Sequence, residues 1–300
     1  MTRALVLGGG GPVGIAWEAG LIAGLAEHGV DLAAADYIVG TSAGSFVGSQ
    51  LAMGKAAGDM AAAILAEANR PRPAPPPVGG RPAEARAAPN LALLFQKMQE
   101  AASGERDPEA VRREIGAFAL GAQTVDEETF IRGFGRTLAE AQADVWPERN
   151  YACTAVDAET RAFVVWNGES GVGLARAVAS SCSVPGVFPP ITIKGRRYID
   201  GGMRSATNAD LAKGHERVLI LALRLGGGDT EQAERMRRPL EAEMKTLADG
   251  GARVELVTPD DASQSAFGLN LMDARVRPAA AKAGLAQGCA MAAGLKDFWG

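Results

Sequence analysis

Val39-Gly40-Thr41-Ser42-Ala43-Gly44-Ser45 is the stretch on which the reading of this chain turns. It follows a short apolar run, Asp36-Tyr37-Ile38-Val39, and leads into Phe46, Val47, Gln50 and Leu51 at helical spacing. A strand, a tight turn and a helix with serine at the apex make the Gly-x-Ser-x-Gly nucleophile elbow. The reason is steric. A sharp turn lifts the serine off the sheet, and Gly40 and Gly44 let strand and helix approach closely. The amide of Ala43 then points into the same space as the Ser42 hydroxyl. In a chain of 38 glycines the pattern also arises by accident, so its meaning depends on what surrounds it.

Upstream, Arg3 to Leu7 is apolar without polar alternation, as expected of a strand buried on both faces of a parallel sheet. It runs into Gly8-Gly9-Gly10-Gly11-Pro12-Val13-Gly14, after which Ile15, Ala16, Ala19, Leu21, Ile22 and Leu25 recur at helical spacing up to Gly29. Strand, glycine loop, helix, strand, elbow and helix form a βαβα opening, which implies right-handed crossovers in a parallel sheet.

Gly9-x-Gly11-x-x-Gly14 has the form of a dinucleotide fingerprint, but that reading needs an acid ending the second strand. Asp31 and Asp36 both precede that strand, and the elbow occupies its end. No Gly-Lys-Ser/Thr follows, so a P-loop fails too. Consecutive glycines at a helix start do suit an anion cradle of bare N–H groups. Beside a nucleophilic serine such a cradle is an oxyanion hole; otherwise it is a tight turn, for which four glycines are more than needed.

A serine hydroxyl needs a proton acceptor. The chain has two histidines. His28 ends the first helix, and His215 lies in the polar turn Lys213-Gly-His-Glu-Arg217; both read as surface residues. A carboxylate is the remaining base. Asp200 is best placed, at a strand end before Gly201 and Gly202, although Asp-Gly is equally a hairpin turn signal.

Net charge of -4, with no offsetting block of Lys or Arg, argues against nucleic-acid binding. Cys153, Cys182 and Cys289 are widely spaced, and with so few histidines no metal site is expected. Cys182 lacks a base nearby in sequence and reads as a small buried hydrophobe. Trp166, Phe188 and Trp299 read as core. The apolar start is too short for a signal peptide, and no window reaches the ~18 apolar residues of a membrane span. The expectation is a cytoplasmic protein with any membrane contact peripheral; oligomeric state is not readable.

Ala56 to Asn69 is predicted helical. Arg70 to Asn90 holds seven of the 16 prolines and is expected to be an extended loop. Leu91–Ala102, Pro108–Leu120 and Val125–Ala143 carry amphipathic helical patterns. Residues 70 to 145 are therefore read as an insertion in a single domain of residues 1 to 300, equally a lid or a packed helical layer. Beyond it come a hairpin (Tyr151–Val156, Arg161–Trp166), a helix (Val172–Ser181), a second hairpin from Ile191 to Ile199, strands Val218–Leu223 and Val254–Val257 around a charged helix (Thr230–Ala248), and a closing helix (Pro278–Trp299).

The ordered set of Gly9-Gly10-Gly11-x-x-Gly14, Gly40-Thr41-Ser42-Ala43-Gly44, Ala179-Ser-Ser-Cys-Ser-Val-Pro-Gly-Val-Phe-Pro189 and Asp200-Gly201-Gly202 resembles the patatin-like phospholipases. The resemblance spans roughly residues 3 to 225 outside the insertion. It implies a three-layer α/β/α fold with a mainly parallel sheet, and a Ser42–Asp200 dyad that hydrolyses lipid acyl esters without metal or cofactor. It further implies an oxyanion hole from Gly10 and Gly11, with Gly9 and Ala43 as further donors. A lipid or other acyl-ester substrate is then the expected partner; a non-catalytic lipid-binding protein keeping the fold is the alternative. The family often has Lys or Arg where this chain has Val13. A carboxylate base is expected to give an activity limb at low pH, with no step near pH ~6.5 where an ordinary histidine titrates.

Overall fold

The structure is a computed structural model, and it describes residues 1–69, 91–94, 96–100, 106–138, 144–223 and 231–300. Its centre is β1 (Arg3–Leu7), whose Ala4 to Leu7 are wholly buried, as their unbroken apolar character requires. Parallel to it on one side runs β2 (Tyr37–Gly40), and on the other β7 (Arg217–Leu221) and then β8 (Arg253–Val257). β3 (Tyr151–Asp157) continues the parallel set beyond β2. β4 (Phe163–Trp166), β5 (Ile191–Ile193) and β6 (Arg196–Asp200) are antiparallel to their neighbours, completing an eight-stranded mixed sheet.

The register around β3 positions the site. Ala155 and Val156 pair with both β4 and β6, so those two strands lie on opposite edges of β3. Cys153 pairs with both Gly40 and Trp166, so β2 lies opposite β4. It follows that β2 and β6 share one edge of β3. β2 runs up that edge and ends at Gly40, opposite Cys153, while β6 runs down it and ends at Asp200, opposite Ala155. Two strand ends therefore converge from opposite directions two residues apart.

Helices cover both faces. α1 (Gly11–Glu27), α2 (Ala43–Ala52), α3 (Ala57–Leu65) and the closing α9 (Arg277–Trp299) pack together on one side of the sheet. The periodicity of α1 predicts one apolar face, yet nearly every residue from Val13 to Leu25 is buried. The helix is enclosed by the sheet, α2, α3 and α9, which only tertiary packing reveals. α7 (Glu231–Asp249) lies over the other face, where Leu247 is buried and Leu240 and Met244 pack against Ala4, Val6 and Val218. β8 is the edge strand, and its residues alternate between exposed and partly buried up to the buried Val257. Between β8 and α9 stands a short helix, α8 (Asp261–Phe267), for which the sequence carries no expectation.

Of the expected insertion, α4 (Pro108–Gly121) and α5 (Glu127–Leu138) are described. The Pro-rich stretch Arg70–Asn90, Phe95, part of the Leu91–Ala102 pattern and the end of the Val125–Ala143 pattern lie outside the described residues. α4 seats Val111, Ile115 and Ala119 with Leu94 against Val156, Ala158 and Ile199. α5 seats Phe134 on Phe46, one turn after the elbow serine, with Phe130 edge-on to Phe134 and stacked on Phe188. Phe188 is thus half-buried in an aromatic cluster, while Trp166 and Trp299 are core as expected.

Candidate active site

At the end of β2 the chain turns back into α2, and Ser42 takes φ 53°, ψ -118°. This is a strained conformation for a residue with a Cβ, and one that recurs at functional turns. The small neighbours make it feasible. A Cβ at Gly40 would run into the Gly44 carbonyl, and one at Gly44 into the Leu7 carbonyl. The turn is pinned from the far side by the helix α6 (Leu174–Ser181) and its cap: the Ser42 N–H donates to Ser181 Oγ at 3.0 Å, and Cys182 Sγ donates to the Ser42 carbonyl at 3.1 Å.

Asp200 is 2 % exposed and Ser42 is 7 % exposed. Asp200 caps a single 3-10 turn, with Gly202 N–H donating to Oδ1 at 2.7 Å, and its own N–H donates to the Ser183 carbonyl. Gly201 is needed for this approach, since a Cβ there would strike Thr154 Oγ1. Among the described residues, Oδ2 is buried without a partner of hydrogen-bond geometry. Burial pushes the carboxyl up to about 7; the nearby Ser42 hydroxyl and the Gly202 amide pull it back only in part. The structure thus brings the Ser42 hydroxyl and the Asp200 carboxyl together, and gives the acid the proton affinity usually found in an imidazole. The expected limb at low pH is corrected accordingly, because water is excluded from this carboxylate.

The glycine loop lies alongside. A Cβ on Gly9 would come 3.4 Å from the Ser42 Cβ. The Gly9 N–H, however, donates to the Ala206 carbonyl at 2.8 Å, so it is spent on the fold and is not a free oxyanion donor. Among the described residues, the N–H groups of Gly10, Gly11 and Ala43 have no acceptor. A Cβ at Gly14 would come 3.2 Å from the Ala43 methyl, so the glycine lets the loop helix lie close against the elbow helix. Val13 is wholly buried and its N–H donates to the Leu271 carbonyl, so this position faces the protein interior.

Both histidines lie at the other end of the sheet. His28 caps the far end of α1, and His215 precedes β7 and stacks on Tyr37.

A family model, Patatin-like phospholipase, matches residues 5–213, which contain the elbow, the glycine loop and Asp200. The chain belongs to the patatin-like phospholipase family. Family membership places it among lipid acyl hydrolases, and the mainly parallel sheet flanked by helices is the three-layer fold expected. Among solved structures it is similar to VipD from Legionella pneumophila, at 15% identity and TM-score 0.48, covering 98% of this chain and 67% of that one. It is also similar to full-length ExoU of the Pseudomonas aeruginosa type III secretion system, solved with SpcU, at 16% identity and TM-score 0.38. That match covers 96% of this chain but 53% of the other, so the patatin-like chain spans about half the length of ExoU. No curated protein matches it. No helix among its described residues is long and apolar enough to cross a membrane.

Several groups that hold the site have no signal in the sequence. Asn208, in the left-handed region at φ 49°, donates through Nδ2 to Thr41 Oγ1, Gly201 O and Ser205 O, and so joins the elbow to the acid turn. Thr154 Oγ1 lies 2.9 Å from Thr41 Oγ1 in the same network. Nothing in Ala206-Thr207-Asn208 marks this role; Ser181 and Cys182 do fall inside the Ala179–Pro189 motif, though without an assigned task. Beside the acid turn a cavity of about 390 Å³ is lined by Gly202, Met203, Leu223, Leu240, Met244 and Leu256 among others. Leu223 also packs on Gly10, which sets the cavity next to the glycine loop.

Proposed function

We propose that this patatin-like chain hydrolyses acyl esters of lipids through a Ser42–Asp200 dyad. One observation carries the reading: a serine on a strained turn faces a buried carboxylate with one unpartnered oxygen, beside three unengaged amides. Asp200, once ionised, accepts the Ser42 proton as the hydroxyl attacks the ester carbonyl. The amides of Gly10, Gly11 and Ala43 hold the resulting oxyanion, where preorganised donors act without reorganisation cost. The protonated Asp200 then gives its proton to the leaving alcohol, and in the second half-reaction it activates the water that releases the fatty acid.

The cavity beside Gly202 supplies apolar room for an acyl chain. Leu269 is fully exposed, two residues before Leu271, whose carbonyl holds the N-terminus of α1, so an apolar tip stands where a lipid surface would meet the glycine loop. Residues 70–145 are an insertion in one domain of residues 1–300, and α5 serves as a wall over the elbow through Phe130 and Phe134.

The test is a fluorophosphonate probe on the full chain, followed by phospholipid, lysophospholipid and short-chain ester turnover. A covalent adduct on Ser42, absent from Ser42→Ala and slow to form in Asp200→Asn, supports the reading. No adduct on folded protein that still binds lipid vesicles favours the non-catalytic alternative.

A further inference from the structure

The end of α1 far from the glycine loop carries a second group of reactive side chains. Glu27 closes the helix, His28 caps it, and Cys289 faces them from α9. A Glu27 carboxylate oxygen, a His28 ring nitrogen and Cys289 Sγ all lie within 4.8 Å of one another. Their separation in sequence gives no metal-binding spacing, and the packing of two helices makes the cluster.

That packing is rigid. A Cβ at Gly20 or Gly24 would run into the carbonyls of Ala281 and Leu285, and one at Gly284 or Gly288 into those of Trp17 and Leu21. Two glycine pairs thus let α1 and α9 pack backbone to backbone, which sets Cys289 level with the end of α1. Gly24 and Gly288 are the neighbours of the cluster itself, since a Cβ at Gly24 would come 2.8 Å from Cys289 N.

The ligand groups are oriented as well. His28 Nδ1 lies 3.2 Å from the Gly24 carbonyl. A carbonyl only accepts, so Nδ1 donates there and Nε2 is the nitrogen left open to a metal, the arrangement by which backbone carbonyls fix metal-binding histidines. Cys289 Sγ lies 3.7 Å from Glu27 Oε2. The site stands at a helix C-terminus, where the dipole favours positive charge. Among the described residues, Lys296 brings its ammonium to this end of α1, 3.8 Å from where a Cβ at Gly29 would stand.

We propose that Glu27, His28 Nε2 and Cys289 Sγ bind one borderline-soft divalent cation, Zn²⁺ in preference to Mg²⁺ or Ca²⁺. Sulfur, nitrogen and oxygen donors together are a zinc-type set, and water takes the fourth position. On binding, the Cys289 S–H bond breaks, its proton goes to solvent, and the metal–sulfur bond forms. α1 has 17 residues, so the ion stands about 25 Å from the glycine loop at 1.5 Å per residue. Its task is to clamp α1 to α9, outside the ester chemistry.

The test uses the full chain, reduced and freed of metal with EDTA, then titrated with Co²⁺ and with Zn²⁺. The expected result is one Co²⁺ per chain with a thiolate-to-metal charge-transfer band, displaced by Zn²⁺ and lost in Cys289→Ser. His28→Ala is expected to weaken binding at least ~10-fold. Zn²⁺ should also protect one thiol from a disulfide reagent and raise the melting temperature of the native chain, but not of the Cys289→Ser or His28→Ala chains. The other two cysteines, Cys153 and Cys182, are buried, so this thiol reports on Cys289. A band that survives in Cys289→Ser, no band in folded native protein, or an equal Zn²⁺ shift in all three chains would overturn the proposal. Ester turnover is read in parallel, and its loss on chelation would count against a purely clamping role.

Discussion

Ser42 and Asp200 meet because the strands that deliver them run toward each other along one edge of β3. β2 stops opposite Cys153 and β6 stops opposite Ala155, so the turn after one and the end of the other share a gap in the ladder. A serine at the end of a parallel strand is ordinarily served by a base from a distant loop. Here the proposed base, Asp200, is part of the sheet and buried with it, and that burial raises its proton affinity.

The first consequence is a trade between stability and activity. The folded Asp200 pKa, about 7, lies above its usual value of 3.8. The fold therefore favours the neutral acid: the stability this gives is complete below pH ~4 and is lost as pH rises through ~7. Asp200→Asn removes that slope. We expect it to lower ester turnover by at least ~10²-fold. It should also raise stability above pH 7 by a few kcal/mol, at about 1.4 kcal/mol for each tenfold change in proton affinity. Urea denaturation of both chains at pH 5 and pH 8 checks this, since the stability difference should grow with pH.

Turnover should rise with pH through an apparent pKa near 7, because only ionised Asp200 accepts the Ser42 proton. The limb imitates a histidine in position only. It should persist in His28→Ala and His215→Ala, and should shift little with temperature, as carboxylate ionisations do. A limb that vanishes with His215 would reassign the base.

Gly10→Ala tests the amide cradle. The added methyl would come 2.9 Å from Gly14 Cα and 2.8 Å from Leu223 Cδ2, so the loop must move. Loss of one aligned donor costs about 10²–10³ in kcat in other hydrolases, and a similar fall is expected here with KM little changed. Gly9→Ala is a different case, because its N–H is engaged with Ala206.

Ser181→Ala removes the acceptor of the Ser42 N–H. A buried amide left unpaired costs about 1–3 kcal/mol, and here the bond also holds a strained turn. Both the melting temperature and the rate of fluorophosphonate labelling should drop.

Leu269→Asp addresses the lipid surface. The side chain is fully exposed, so the change should leave stability and turnover of a soluble short-chain ester as they were. Hydrolysis of vesicle phospholipid should fall, as measured by fatty-acid release at equal enzyme concentration.

The proposed nucleophile and its turn are legible because they are local. Gly40, Ser42 and Gly44 act within five residues of one another, and their steric logic is written in residue size. The glycine loop was legible as a cradle, but which of its amides are free was not. Gly9 is excluded only because Ala206, from another part of the chain, reaches over to accept its proton. Asn208 gave no sign at all, since its polar contacts come from Thr41, Gly201 and Ser205 after folding.

What the sequence by itself determined is the order of the elements, the elbow, the glycine loop and a carboxylate at the end of a strand, because each follows from size, φ preference and hydrophobic period over a few residues. What only the tertiary structure decided is how strongly that carboxylate holds its proton, which amides remain unspent, and that Cys289 comes to stand beside Glu27 and His28. Those depend on which groups lose water and which backbones touch, and neither is a property of any short stretch of chain.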